Sequence, residues 1–97
     1  MASTPEAKVK ADIKKILQLH GVYYAMPMGT GYGNSGVPDF LCCLNGKFIG
    51  VEAKANGGVP TALQRKHLDD IQKAGGEWWI VNETNLIAFE VFVKSNK

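Results

Sequence analysis

Asp39, Glu52 and Lys54 are the residues of this chain whose types and spacing carry chemistry. Asn45-Gly46 lies between two apolar runs, Val37-Pro38-Asp39-Phe40-Leu41 before it and Val51-Glu52-Ala53-Lys54 after it. That dipeptide is the strongest short-range hairpin signal, because both central residues of a type I′ turn need positive φ. With Asn45 and Gly46 at the turn, Leu44 pairs with Lys47, and counting outward brings Asp39 directly opposite Glu52. Directly opposed side chains share a face of the sheet, with Cβ atoms about 4.5–5.5 Å apart. Two like charges there repel, so the pattern calls for something positive between them, and a divalent cation is the expectation. By the two-residue period of a strand, Phe48, Gly50, Glu52 and Lys54 share one face.

Hard cations take oxygen ligands, and a magnesium site uses one or two carboxylates with water and substrate phosphates. A nearby ammonium holds the attacking water or helps to deprotonate it. The set fits metal-assisted phosphodiester hydrolysis better than acyl transfer or redox chemistry. Taken singly, each residue has a plainer reading. Pro38 fits a strand start followed by a surface Asp, and Glu52 with Lys54 fits an exposed ion pair worth roughly 0–1 kcal/mol. Their coincidence on one face points to a site.

Other residues divide between chemistry and structure. Glu6 lies three residues before Val9 and seven before Ile13, and so projects toward the apolar face of the first helix. It either compensates the helix dipole in the first turn or reaches into the site as a further carboxylate. Gln64 is either the partner of Thr61 in a capping box or a polar group near the metal. His20 reads as a helix-end residue and His67 as part of an amphipathic face, and neither is assigned to metal. Gly31-Tyr32-Gly33-Asn34-Ser35-Gly36 matches the dinucleotide fingerprint letter for letter. That fingerprint works only where a strand leads into a helix N-terminus. Here the glycines lead into a strand, so no nucleotide cofactor is expected. A flexible loop that lets another backbone approach closely is the better reading.

The elements that must position these residues follow from local signals. Ser3-Thr4-Pro5-Glu6 starts a helix with a hydroxyl cap, a first-turn proline and an acid at the positive helix end. Val9, Ile13, Ile16 and Leu17 form its stripe, and Gly21 stops it. Val22 to Met26 reads as a strand, Pro27 to Gly36 as a glycine-rich loop, and Val37 to Lys54 as the hairpin. Thr61 opens a second helix running to about Ala74, with Leu63, His67, Ile71 and Ala74 on one side. Gly75-Gly76 ends it, and Trp78 to Val81 forms a strand that sends its two tryptophans to opposite faces. From Asn85 to Val93 the apolar run fits a strand or a short helix, with helix preferred.

The 97 residues are expected to form one domain, 1–97, with a thin core. An apolar content of 45% is ordinary for a globular chain. The net charge of +2 is too weak to imply nucleic acid. Lys8, Lys10, Lys14 and Lys15 crowd the first helix, where a solvated face is the plain reading. Cys42 and Cys43 are neighbours and point to opposite faces, so they neither chelate one metal nor pair without strain. Two buried, reduced thiols are expected, as in a reducing compartment. No signal-peptide pattern and no apolar run of transmembrane length is present. The expectation is a cytoplasmic protein with no membrane partner.

Gly36-Val37-Pro38-Asp39, then Glu52-Ala53-Lys54, with Gln64 on the next helix, resembles the PD-(D/E)XK nuclease superfamily, and more narrowly its virus-type replication-repair nuclease domain, VRR-NUC. The resemblance runs from Glu6 to about Val81. It implies an α/β (α+β) fold, a mixed β-sheet flanked by helices in the order α-β-β-β-α-β plus a terminal element. It implies a Mg2+ or Mn2+ site formed by Asp39, Glu52 and the backbone carbonyl of Ala53, with Lys54 acting on the water. Glu6 matches an acid often found on the first helix, and Gln64 the polar residue after the E-x-K strand. The expected activity is metal-dependent endonuclease cleavage of branched or structured DNA by a homodimer, in the manner of Holliday-junction resolvases. Such stand-alone domains are typical of phages and prophages. The alternatives are a non-catalytic DNA-binding or assembly module, or a flap, single-strand or RNA-cleaving nuclease.

Overall fold

The two-residue turn forms as its residue types require. Asn45 (φ 51°) and Gly46 (φ 81°) both take positive φ. Leu44 pairs with Lys47, and the antiparallel register runs out through Cys42–Ile49 to Phe40–Val51. The structure, a computed structural model, describes residues 4–28 and 36–97. In chain order the elements are α1 (Pro5–Leu19), β1 (Tyr23–Ala25), β2 (Phe40–Leu44), β3 (Lys47–Ala53), α2 (Ala62–Lys73), β4 (Glu77–Val81) and α3 (Leu86–Asn96). This is the expected order, with the terminal element a helix. The strands form one mixed sheet in the order β1-β2-β3-β4. The first two pairings are antiparallel, and β3 pairs with β4 in parallel across the α2 crossover.

Each face of the sheet has its own cover. Phe40, Cys42, Ile49, Val51, Ala53 and Val81 point toward α1 and α3, which supply Val9, Ile13, Leu17, Phe89 and Val93 to a common core. Trp79 joins this side, with its ring centroid 5.4 Å from that of Phe89 and 5.1 Å from that of Phe92. Trp78 alternates to the opposite face, where it donates to Gln72 and lies 4.8 Å beneath the Arg65 guanidinium. The alternation expected of the two tryptophans therefore holds.

Capping chemistry sets the helix starts. The Thr4 hydroxyl accepts from the Ala7 N–H at 3.0 Å, with Pro5 in the first turn. At α2, Thr61 and Gln64 exchange both capping-box bonds, at 2.9 and 3.2 Å. The apolar side of α2 differs from expectation. Leu68 is its fully buried residue, and Gln64, His67 and Ile71 flank it, whereas Leu63 and Ala74 are exposed. The stripe is rotated because α2 packs chiefly on β3 and β4, and Leu68 is the large apolar side chain that this rotation buries. The same limited reach overturns the expectation of two buried thiols. Both cysteines are free, but only Cys42 is buried, and Cys43 is exposed on the face that α2 leaves open. Among the described residues no helix is long and apolar enough to cross a membrane.

Of the glycine-rich loop, residues 29–35 lie outside the described residues, and Gly36 behaves as expected of a close-approach glycine. Its φ is +87°, and a Cβ built there would sit 2.8 Å from Leu63 Cγ and 2.9 Å from the Leu63 carbonyl carbon. The start of α2 thus abuts the chain three residues before Asp39. Gly36→Ala combines a left-handed alanine, about 1–2 kcal/mol, with overpacking of about 1–3 kcal/mol. Urea denaturation should therefore show a loss of roughly 2–5 kcal/mol. Gly46→Ala has positive φ but nothing within 4 Å of the added Cβ, and should lose only the conformational part. Equal losses in the two variants would mean that the α2 contact carries no weight.

Candidate active site

The ladder of the hairpin ends at Phe40–Val51, one step short of the two acids. There the side chains take over from the backbone. The Asp39 N–H donates to Glu52 Oε1 at 3.2 Å, and the Ala53 N–H donates to Asp39 Oδ2 at 2.8 Å. Each strand thus donates a backbone N–H to the carboxylate of the other. Burial of a carboxylate is costly unless its oxygens are satisfied, and this exchange satisfies one oxygen of each.

The second oxygens face ammonium groups. Lys54 Nζ lies 3.4 Å from Glu52 Oε2, and Lys10 Nζ lies 3.4 Å from Asp39 Oδ1. Glu52 is 2% exposed, and the Lys54 side chain is nearly as deep. The Lys54 backbone is pinned too, its N–H donating to the Val81 carbonyl at 2.9 Å at the end of the parallel pair. The four charges therefore stand in a row with the two acids at its centre and an ammonium at each end: Lys10, Asp39, Glu52, Lys54.

Burial pushes the Glu52 carboxyl up to about 7, and the negative charge of Asp39 adds to the rise. The Lys54 ammonium and the Asp39 N–H pull it down by less. A buried acid held this high lacks positive charge, the deficit that a cation would fill. Asp39 Oδ1 and Glu52 Oε2 are hard oxygen donors free of backbone bonds, so the donor set suits a magnesium-like ion completed by water and phosphate. Ala53 sits beside them through its N–H bond to Asp39.

The structure thus brings together Asp39, Glu52, Ala53 and Lys54 of the residues expected from sequence. Gln64 is the N3 residue of the α2 capping box, its side-chain oxygen spent on the Thr61 N–H, although its backbone nitrogen is only 3.0 Å from the Cβ position of Gly36. Glu6 is half-buried in the first turn of α1, one turn before Lys10, and makes no hydrogen bond or ion pair to the two acids. Among the described residues, no three His, Cys, Asp or Glu side chains converge in a metal-holding group. Lys10 is the residue that sequence reasoning missed. By sequence it is one of four lysines with a solvated face as their plain reading, yet it adjoins Val9 and lies one turn before Ile13, at the margin of the buried stripe. No protein-family model matches the chain, and no curated protein matches it by sequence.

The raised Glu52 carboxyl has a consequence for stability. Between the unfolded value, near 4.5, and the folded value, about 7, the native state binds more protons than the unfolded one, so stability falls as pH rises through this window and levels above it. Glu52→Gln mimics the protonated form. In chelator it should remove this fall and melt higher than the parent at pH 8, by up to roughly 2–3 kcal/mol. A parent whose stability rises from pH 5 to pH 7 by more than Glu52→Gln does would contradict the raised carboxyl.

Proposed function

We propose that this chain is a metal-dependent DNA endonuclease of the PD-(D/E)XK type, similar to VRR-NUC domains, that hydrolyses phosphodiester bonds in branched or structured DNA. The observation that carries the reading is the row Asp39–Glu52–Lys54, half-buried at Asp39 and buried at the other two, in which two carboxylates are fixed by reciprocal backbone bonds and each keeps one oxygen turned away from the backbone. A structural ion pair would not need a second, like-charged carboxylate locked against it.

Asp39, Glu52 and the Ala53 carbonyl would hold Mg2+ or Mn2+, which supplies Lewis-acid charge to a phosphoryl oxygen and makes water more acidic. Lys54 places a fixed ammonium beside Glu52, where it orients the attacking water or meets the charge that grows on the phosphate oxygens. Being nearly buried and paired already, it needs little reorganisation as that charge develops. Lys10 and the neighbouring lysines of α1 supply positive charge for the DNA backbone. The enzyme works as a homodimer, since one chain carries one such site and symmetric cutting of a junction needs two related by a two-fold axis. Two free thiols accord with a reducing, intracellular setting, and the family resemblance is the ground for proposing a phage or prophage source.

The test is a panel of labelled duplex, flap, fork and four-way-junction DNAs incubated with Mg2+, Mn2+ or chelator. Cleavage of branched DNA is expected with metal alone, and Asp39→Asn or Glu52→Gln should lower it by about 10²–10³-fold or more while the fold persists. Full activity in either variant would remove the two acids from the site, and metal-independent binding without cleavage would make the domain a DNA-binding module. Lys54→Ala should lose turnover by a similar factor while DNA affinity in Ca2+ stays within about threefold, because phosphate contacts are spread over several lysines. If affinity falls in step with turnover, Lys54 is an ordinary phosphate contact. Sedimentation at working concentration should find a dimer. A strict monomer, free and on a four-way junction, would favour a flap or single-strand nuclease.

A further inference from the structure

The two lysines of the row differ in how they are held. Lys54 is 11% exposed along its side chain and sits at a strand end whose backbone is bonded to β4. Lys10 is 38% exposed, stands on the outer margin of α1, and has Asp39 Oδ1 as its one ion-pair partner among the described residues. Its four-carbon stem lets the ammonium swing into solvent without moving the helix. Asp39, for its part, keeps the backbone bond from Ala53 to its other oxygen whatever Oδ1 faces.

We propose that Lys10 is a displaceable counter-ion. It holds Asp39 Oδ1 while the site lacks a cation, gives that oxygen up when a divalent cation binds, and then takes a DNA phosphate oxygen beside the site. The inference rests on the metal-dependent nuclease reading above. The Coulomb comparison favours the exchange. A divalent ion ligated at about 2.0–2.1 Å attracts a carboxylate oxygen roughly threefold more strongly than a single ammonium at the 3.4 Å seen here. The released ammonium keeps its tether on α1, so it remains beside Asp39, where a substrate phosphate would lie. A lysine is suited to this, being a compact, mobile point charge rather than a fixed bidentate fork.

Two effects of opposite sign follow from one substitution. Lys10→Met keeps a straight, helix-compatible stem and removes the charge. Titration of Mn2+ into the DNA-free protein at fixed ionic strength should give tighter binding in Lys10→Met than in the parent, by about three- to tenfold, because the cation no longer competes with an ammonium. Binding of a four-way junction in Ca2+ should weaken by a similar factor, and its dependence on salt should flatten by about one ion, as for loss of one phosphate contact. Lys10→Arg should restore DNA affinity. A lysine with a merely structural role would not raise cation affinity on removal. Unchanged or weaker Mn2+ binding in Lys10→Met overturns the exchange, and unchanged junction binding overturns the phosphate contact. Failure of the parent itself to bind Mn2+ through Asp39 and Glu52 overturns the metal-site reading, which sets that failure apart from a failure of Lys10 alone.

Discussion

Everything at this site depends on a turn of two residues. Because Asn45 and Gly46 close the hairpin with no spare residue, the position of every side chain on β2 and β3 is set by counting. A slip of one residue would send Asp39 and Glu52 to opposite faces and remove both carboxylate–backbone bonds at once. The bonds in turn reinforce the register, since they cap the open end of the hairpin where the ladder stops. The site is therefore built by the most local part of the fold, and the rest of the chain serves to bury and flank it.

Burial gives the arrangement its electrostatic character. Glu52 lies between Val51 and Ala53, both fully buried, so its carboxyl is held deep by the packing of its neighbours on the opposite face. The parallel partner β4 supplies Ile80 opposite Glu52, and the Val81 carbonyl ties down Lys54. This is unfavourable ground for two acids side by side, and the protein balances them with two ammonium groups drawn from different elements. One comes from the strand itself and is nearly buried. The other comes from α1 and is part-exposed. Two acids between two ammonium groups leave the row neutral overall, yet the deepest acid still binds a proton more tightly than it would in water. Neutrality in number is not neutrality at each atom.

Legibility in the sequence tracked the range of the interaction. The turn, both helix caps, the end of α1 at Gly21 (φ 68°) and the facing of Asp39 and Glu52 are settled by residues a few positions apart, and all were readable. Glycine was readable at Gly36 because a close approach was the alternative left once a helix N-terminus was excluded. What escaped depended on how far one element extends over another. Leu68 rather than Leu63 became the anchor of α2, and Cys43 stayed exposed, because α2 spans two strands of four. Hydrophobic periodicity gives the direction of a stripe but not the edge of the surface it meets.

Lys10 illustrates the same limit with a functional consequence. Residues at the centre of an amphipathic stripe are assigned to the core and those opposite to solvent, but those at the margin belong to neither. Glu6 and Lys10 share this margin one turn apart, and sequence alone divided the acid between helix-dipole compensation and the site while leaving the base to solvent. In the folded chain it is the base that reaches Asp39, while the acid stays in the first turn of α1. The physical reason lies in charge and reach. Asp39 presents an oxygen that no backbone group bonds, a third carboxylate would add to the repulsion there, and a long cationic stem can cover the gap from the helix edge. In a cation-free protein, then, the residue that approaches an acidic site from the margin of a helix is the one that relieves it.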